Sequence, residues 1–279
     1  MARVDAHHHL WDLSIRDQDW ITVPDMAAIR RDFTVDDLTA AAQGIDRTVI
    51  VQTLAVPEET PELLVLAEDN ALIGGVVGWV DLTADSVADD LAALKEGAGG
   101  RWLRGIRHLV QGESDPRWLC RDDVRRGLAA VADAGLTYDL LTIPLQLPAS
   151  IETVGSLPEA TFVLDHLSKP LIAERTMEPW AEQIRALAAY PNVFCKLSGM
   201  VTEADWKTWT VDDLRPYAEV VLDAFDPHRV MFGSDWPVCL LAASYEEVLQ
   251  AAEDLTSHLL ADERAEVFGG TAARAYHLG

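Results

Sequence analysis

The chain has 279 residues and a formal net charge of −24, with 46 acidic against 22 basic side chains. Such a surface repels nucleic acid and anionic lipid, so neither is expected as a partner. An anionic substrate stays open, because Arg and Lys inside a pocket can reverse the local sign.

Hydrophobic content of 49% with 24% charged residues is ordinary for a soluble globular protein. No apolar run approaches a membrane span, and no charged leader with an apolar core opens the chain, so no secretion signal is expected. Cys120, Cys195 and Cys239 are far apart, with no Cys-x-x-Cys pair. That spacing predicts reduced thiols and a cytoplasmic protein, and argues against a disulfide framework or a thiolate zinc site.

In chain order, eight strand-then-helix units are expected. The first strand covers 4–9 and contains His7, His8 and His9. Strand side chains alternate faces, so His7 and His9 share one face and His8 points to the other. Two imidazoles at a strand end are a common start to a divalent-metal site. The connection 13–33 is long for a compact domain, and long connections are often functional. Its Trp20 reads equally as a lid or as an anchor. A helix follows near 35–43. The next strands are 48–53, 74–80 and 103–109, with helices from Pro57 to about 70, at 86–96 and near 122–134. Strand 137–142 leads to Pro144, Pro148 and a short helix at 149–155. Strand 161–165 and helix 179–189 come next, then strand 193–197 and a helix in 211–225. The eighth strand, 229–232, runs into Gly233-Ser234-Asp235-Trp236-Pro237, and helices at 244–255 and about 261–276 close the chain. Thr34 with Asp37, and Thr210 with Asp213, resemble capping boxes.

Short apolar strands suit a sheet with both faces covered by helices. Strict alternation predicts a parallel sheet. Eight units in this length predict one α/β domain over 1–279, a (β/α)8 (TIM) barrel, which typically takes ~250 residues. An open doubly wound sheet is the alternative, and it lacks a Gly-x-Gly-x-x-Gly turn after the first strand.

A barrel carries its active site at the C-terminal strand ends. Strand one delivers His7 and His9 there, strand four Arg107 and His108, and strand five Tyr138 and Asp139 a little lower. Strand six ends in Asp165-His166-Leu167-Ser168-Lys169, strand seven holds Lys196, and strand eight ends in Asp235. Singly, each has a structural explanation: a loop His, or an Asp capping a turn. Lys196 is harder to explain so, because a buried ammonium needs a partner. Three imidazoles, a carboxylate, a lysine and an arginine on one rim favour a site.

With these motifs the chain resembles the amidohydrolase superfamily, in its "amidohydrolase 2" branch that includes sugar-acid lactonases. The matching stretches are 4–11, Gly105-Ile106-Arg107-His108, 164–170, Lys196-Leu197-Ser198-Gly199 and 232–237, from first strand to last. The resemblance implies a (β/α)8 barrel with His7, His9, His166 and Asp235 around a divalent metal, zinc in the first instance. It implies a hydrolase of carbohydrate metabolism that opens L-fuconolactone or L-rhamnonolactone-like substrates, although some members of the branch need no metal. Asp235 would be the general base, with His166 and Lys196 as further catalytic groups. Arg107 and His108 would contact substrate, and Trp11 and Trp236 would stack on the ring or simply pack the barrel mouth. The run Ile143–Pro148 departs from relatives that carry His or Arg there, so one polar contact is expected to be missing. The alternatives are a metal-dependent decarboxylase of an aromatic acid, with Arg107 on the carboxylate, and a barrel that binds a sugar acid without turnover. Which lactone, which metal and whether the chain forms a homo-oligomer stay open.

Overall fold

The apolar runs become eight parallel strands: β1 Val4–His8, β2 Arg47–Val51, β3 Ile73–Gly78, β4 Leu103–His108, β5 Thr137–Leu140, β6 Phe162–Leu164, β7 Val193–Leu197 and β8 Val230–Phe232. The computed structural model describes residues 2–279. Neighbours in the sheet follow chain order from β1 to β8. The ends of the sheet then meet: the Asp235 N–H donates to the His7 carbonyl at 2.8 Å and the His9 N–H to the Trp236 carbonyl at 2.7 Å. The result is a nearly closed (β/α)8 barrel, as the strand–helix alternation predicts.

The helices are α1 Val35–Ala41, α2 Glu59–Asp69, α3 Val87–Glu96, α4 Asp122–Asp133, α5 Leu147–Ser156, α6 Trp180–Ala188, α7 Met200–Glu203, α8 Val211–Phe225, α9 Tyr245–Leu255, α10 Ala261–Ala265 and α11 Thr271–Ala275. Thr34 and Asp37 form the expected reciprocal cap, with Asp37 N–H to Thr34 Oγ1 at 3.3 Å and Thr34 N–H to Asp37 Oδ2 at 2.9 Å. At Thr210 only the half in which Asp213 accepts from the cap residue is made, at 2.9 Å. The expected final helix, 261–276, is interrupted by a π-turn at Glu266–Gly270. Gly269 there passes so close to the N-terminal segment that an added Cβ would sit 2.0 Å from the Ala2 carbonyl. The short α7 was not anticipated; it is one turn after Gly199, whose φ of 63° only glycine adopts freely.

Two cores result. The larger lies between barrel and helices. The smaller fills the barrel itself, with Val4, Ala6, Val49, Val51, Val77 and Met231, and is closed below by Ala272, Ala275 and Tyr276 of the C-terminal segment. No helix is long and apolar enough to cross a membrane among the described residues.

Candidate active site

The polar groups begin where the apolar filling of the barrel stops. In β1 the register with β2 shifts between Asp5 and His8. Across this irregularity Ala6 packs into the inner core while His7 reaches Lys196 of β7. His8 faces outward to Thr48 Oγ1 at 2.9 Å. His9 returns to the inside, so alternation places His7 and His9 together and His8 away from them. Outside the barrel Asp5 fixes the strand end: it accepts from Ser234 Oγ at 2.6 Å, the Ser234 N–H at 2.9 Å and Tyr245 Oη at 3.0 Å.

Each imidazole is held by its outer nitrogen. His9 Nδ1 faces the Val51 carbonyl at 2.7 Å, so it carries the proton and leaves the Nε2 lone pair facing inward. His166 Nδ1 pairs with Ser198 Oγ at 2.8 Å. His166 opens a run of four left-handed residues, His166, Leu167, Ser168 and Lys169, with φ between 51° and 58°. Bulky side chains rarely hold that conformation, and a run of them at a strand end is the kind of strain found where a side chain must be aimed. Asp235 is likewise left-handed, at φ 57°. Its Oδ1 lies 3.7 Å from His7 Nε2, 3.5 Å from His9 Nε2 and 3.8 Å from His166 Nε2. His7 and His9 approach each other at 3.2 Å between their Nε2 atoms.

Burial pushes His166 down to about 4 and His7 well below the usual imidazole range, with the Lys196 charge adding to the effect at His7. Both rings are therefore neutral at pH 7. Burial works against ionising Asp235, but the neighbouring His166 and His9 outweigh it and hold the carboxyl below its usual value. A carboxylate among neutral imidazoles is a proton acceptor and a cation-binding set at once. His7, His166 and Asp235 each offer one ligand atom within 4.8 Å of the others, and all three are buried. With the inward Nε2 of His9 beside them, these residues fit a divalent metal, since the outer nitrogens are already engaged as in metal-ligating histidines.

Beneath the imidazoles lies a buried ionic group. Lys196 Nζ is 2.6 Å from Asp139 Oδ2, 2.9 Å from Asp165 Oδ1 and 3.0 Å from His7 Nδ1. Tyr276 Oη donates to Asp139 at 2.8 Å. Arg107 places Nη1 3.0 Å from Asp165 Oδ2 and 3.4 Å from His7 Nε2, and spends Nη2 on the backbone carbonyl and side chain of Gln52. Two cations thus match two carboxylates. Burial opposes ionisation of Asp165, yet Lys196, His7 and Arg107 together hold it well below the usual range. Burial raises Asp139 to about 6 against the pull of Lys196.

A cavity of about 330 Å³ opens above, lined by His9, Arg107, His166 and Asp235, with Trp20, Lys169 and Glu203 among its walls. The other predicted contacts lie elsewhere. His108 is not in its wall; it stacks on Trp118 with centroids 4.3 Å apart, accepts from Trp79 Nε1 at 3.0 Å and meets Glu113 at 2.7 Å. Trp236 packs on Phe33 at 5.1 Å, and Trp11 lines a separate groove of about 420 Å³ that holds none of the imidazoles. Lys196 is wholly buried, does not line the cavity, and meets it through His7 and Asp165. Ser198, Lys169 and Glu203 were not singled out from the sequence. Ser198 and Lys169 stand inside the recognised motifs, but Glu203 carries no motif and only the turn of α7 brings it in.

The "Amidohydrolase" family model matches residues 4–278. An L-fucono-1,5-lactonase of Burkholderia multivorans is 43% identical, over 99% of this chain and 96% of its own. An L-fucono-1,5-lactonase of Burkholderia ambifaria is 38% identical, over 99% of this chain and 96% of its own. Among solved structures, an amidohydrolase from Burkholderia multivorans with bound zinc superposes with a TM-score of 0.93 at 41% identity, covering all of both chains. With its motifs, its barrel and a model match over almost its whole length, the chain belongs to the amidohydrolase family.

Proposed function

We propose that this chain is a lactonase, opening the ester bond of a sugar-acid lactone of the L-fuconolactone or L-rhamnonolactone type. The observation that carries the reading is Asp235: an ionised carboxylate at the floor of a sugar-sized cavity, within 4 Å of three imidazoles. The similarity to two L-fucono-1,5-lactonases along the full chain supports the substrate class. We place the enzyme in the cytoplasm, acting as one domain over 1–279.

Ester hydrolysis needs a deprotonated water, a polarised carbonyl and a proton for the leaving alkoxide. Asp235 accepts the proton as the water oxygen bonds to the lactone carbon. The ring C–O bond then breaks, and the same proton passes from Asp235 to the departing oxygen, so the product is the open hydroxy acid. His9 and His166, fixed by Val51 and Ser198, orient the water and substrate. Lys196 and Asp165 hold His7 in place and act through it. A divalent ion, zinc by analogy with the zinc-bound relative, would be held by His7, His9, His166 and Asp235 and would supply Lewis-acid polarisation of the carbonyl. Decarboxylation of an aromatic acid is less well supported, because the Arg107 fork it would need for a carboxylate is committed to Asp165 and Gln52.

Asp235→Asn tests this. It keeps size and loses the proton acceptor, so turnover of L-fuconolactone should fall at least about 100-fold, the lower end for a lost general base. The melting temperature should stay within a few degrees. A variant that melts early yet hydrolyses at the wild-type rate would make Asp235 a turn cap and end the proposal.

A further inference from the structure

Two charged side chains in the cavity wall take no part in the reaction above. Lys169 closes the left-handed run after β6, and Glu203 ends α7. Nζ and Oε1 are 3.7 Å apart, beyond a hydrogen bond, and the side chains keep 27% and 23% of their surface exposed. Among the described residues each head group has only the other. The backbone ties Lys169 to the catalytic rim and Glu203 to the loop that follows β6. The Lys169 N–H donates to the His166 carbonyl at 2.7 Å, and the Ala173 N–H to the Glu203 carbonyl at 3.0 Å. Burial raises the Glu203 carboxyl, with Lys169 pulling the other way.

The charges in this wall decide what it can accept. Arg107 and Lys169 are positive; Asp19, Glu203 and Asp235 are negative. Asp165 already matches Arg107 and Glu203 faces Lys169, so neither side-chain cation of the wall is free for a substrate carboxylate. Two further carboxylates stand in the wall. An uncharged hydroxyl fits the gap, because it can donate to Glu203 while accepting from Lys169. A site built to bond a hydroxyl rejects analogues that leave its polar groups unpaired.

We propose that Lys169 and Glu203 form a hydroxyl clamp that makes this site take uncharged polyhydroxylated lactones and turn away lactones bearing a carboxylate. This rests on the lactonase reading.

The test uses the full chain with L-fuconolactone as substrate and D-glucaro-1,4-lactone, which carries a carboxylate, as competitor. In the wild type the competitor should have a Ki at least about 100 times the KM for L-fuconolactone. In Glu203→Gln the KM should rise about 10-fold with kcat within about 3-fold, while the competitor's Ki falls about 10-fold, since a charged acceptor is lost and a repulsion removed. A purely structural role for Glu203 would not move the two constants in opposite directions. Should Glu203→Gln not fold, the wild type decides alone: between about 20 and about 500 mM salt the Ki should fall while the KM stays constant, because screening weakens only the repulsion. Unchanged constants in a folded variant, or wild-type binding of the competitor as tightly as L-fuconolactone at low salt, overturn the clamp. If the wild type opens no lactone, the lactonase reading falls and takes the clamp with it. If it opens lactones but the constants do not move, the clamp alone falls.

Discussion

His8 sits between two site histidines and does something different from either. Its ring is buried against Thr48, with Nδ1 unpaired, and burial lowers its pKa to about 3. A folded-state pKa below the unfolded one gives stability that is complete above the unfolded value and is lost as pH falls toward the folded value. In the window from 6.5 down to 3 only the unfolded chain takes up this proton. The loss from His8 should reach about 2 kcal/mol by about pH 5. His8→Gln keeps a polar group toward Thr48 and cannot titrate, so its melting temperature should fall less steeply than wild type from pH 6.5 to 5. Parallel curves would show that His8 takes no part in the acid loss.

The strand ends do at the scale of elements what His8 does at the scale of a side chain: they hold a costly conformation because their surroundings require it. Gly199 joins β7 to α7 at φ 63°, and a Cβ there would stand 2.6 Å from His166 Nδ1. Gly199→Ala therefore meets two penalties. The left-handed backbone costs about 1–2 kcal/mol with a Cβ present. The His166 ring must also move off Ser198. Displacements of that kind can reduce rate by about 100-fold, so the variant should lose at least about 10-fold in kcat/KM while remaining folded. Thermal melting and lactone turnover on one preparation check this; wild-type turnover would mean that the Ser198–His166 contact is not needed for catalysis.

Across the whole molecule, the buried ions join the ends of the chain to its middle. Lys196 on β7 meets Asp139 on β5 and Asp165 after β6, and Tyr276 from the C-terminus closes on Asp139. Lys196→Met leaves these buried carboxylates with one cation fewer. Breaking a buried pair in this way costs about 3–5 kcal/mol, which for a chain of this size lowers the melting temperature by roughly 10 °C. Calorimetry reads this directly. A shift under about 2 °C would mean that the group is already neutral in the folded protein.

The eight-unit barrel is legible in the amino-acid order alone, because parallel strands covered by helices write themselves as short apolar runs between amphipathic ones, and that pattern is local. The same order placed His7 and His9 on one face, since period-2 alternation survives the shifted register of β1, and it singled out His166, Asp235 and Arg107 at the strand ends. Tertiary structure decided what those residues face. His108 follows Arg107 directly, yet the pleat turns it outward to Trp79 and Trp118, and Arg107, though it lines the cavity, is paired with Asp165. Glu203 enters the cavity wall through one turn of helix after a left-handed glycine, and Tyr276 reaches Asp139 across 137 residues of chain. These are long-range pairings between charges, and nothing in local periodicity encodes which buried carboxylate a given cation will meet.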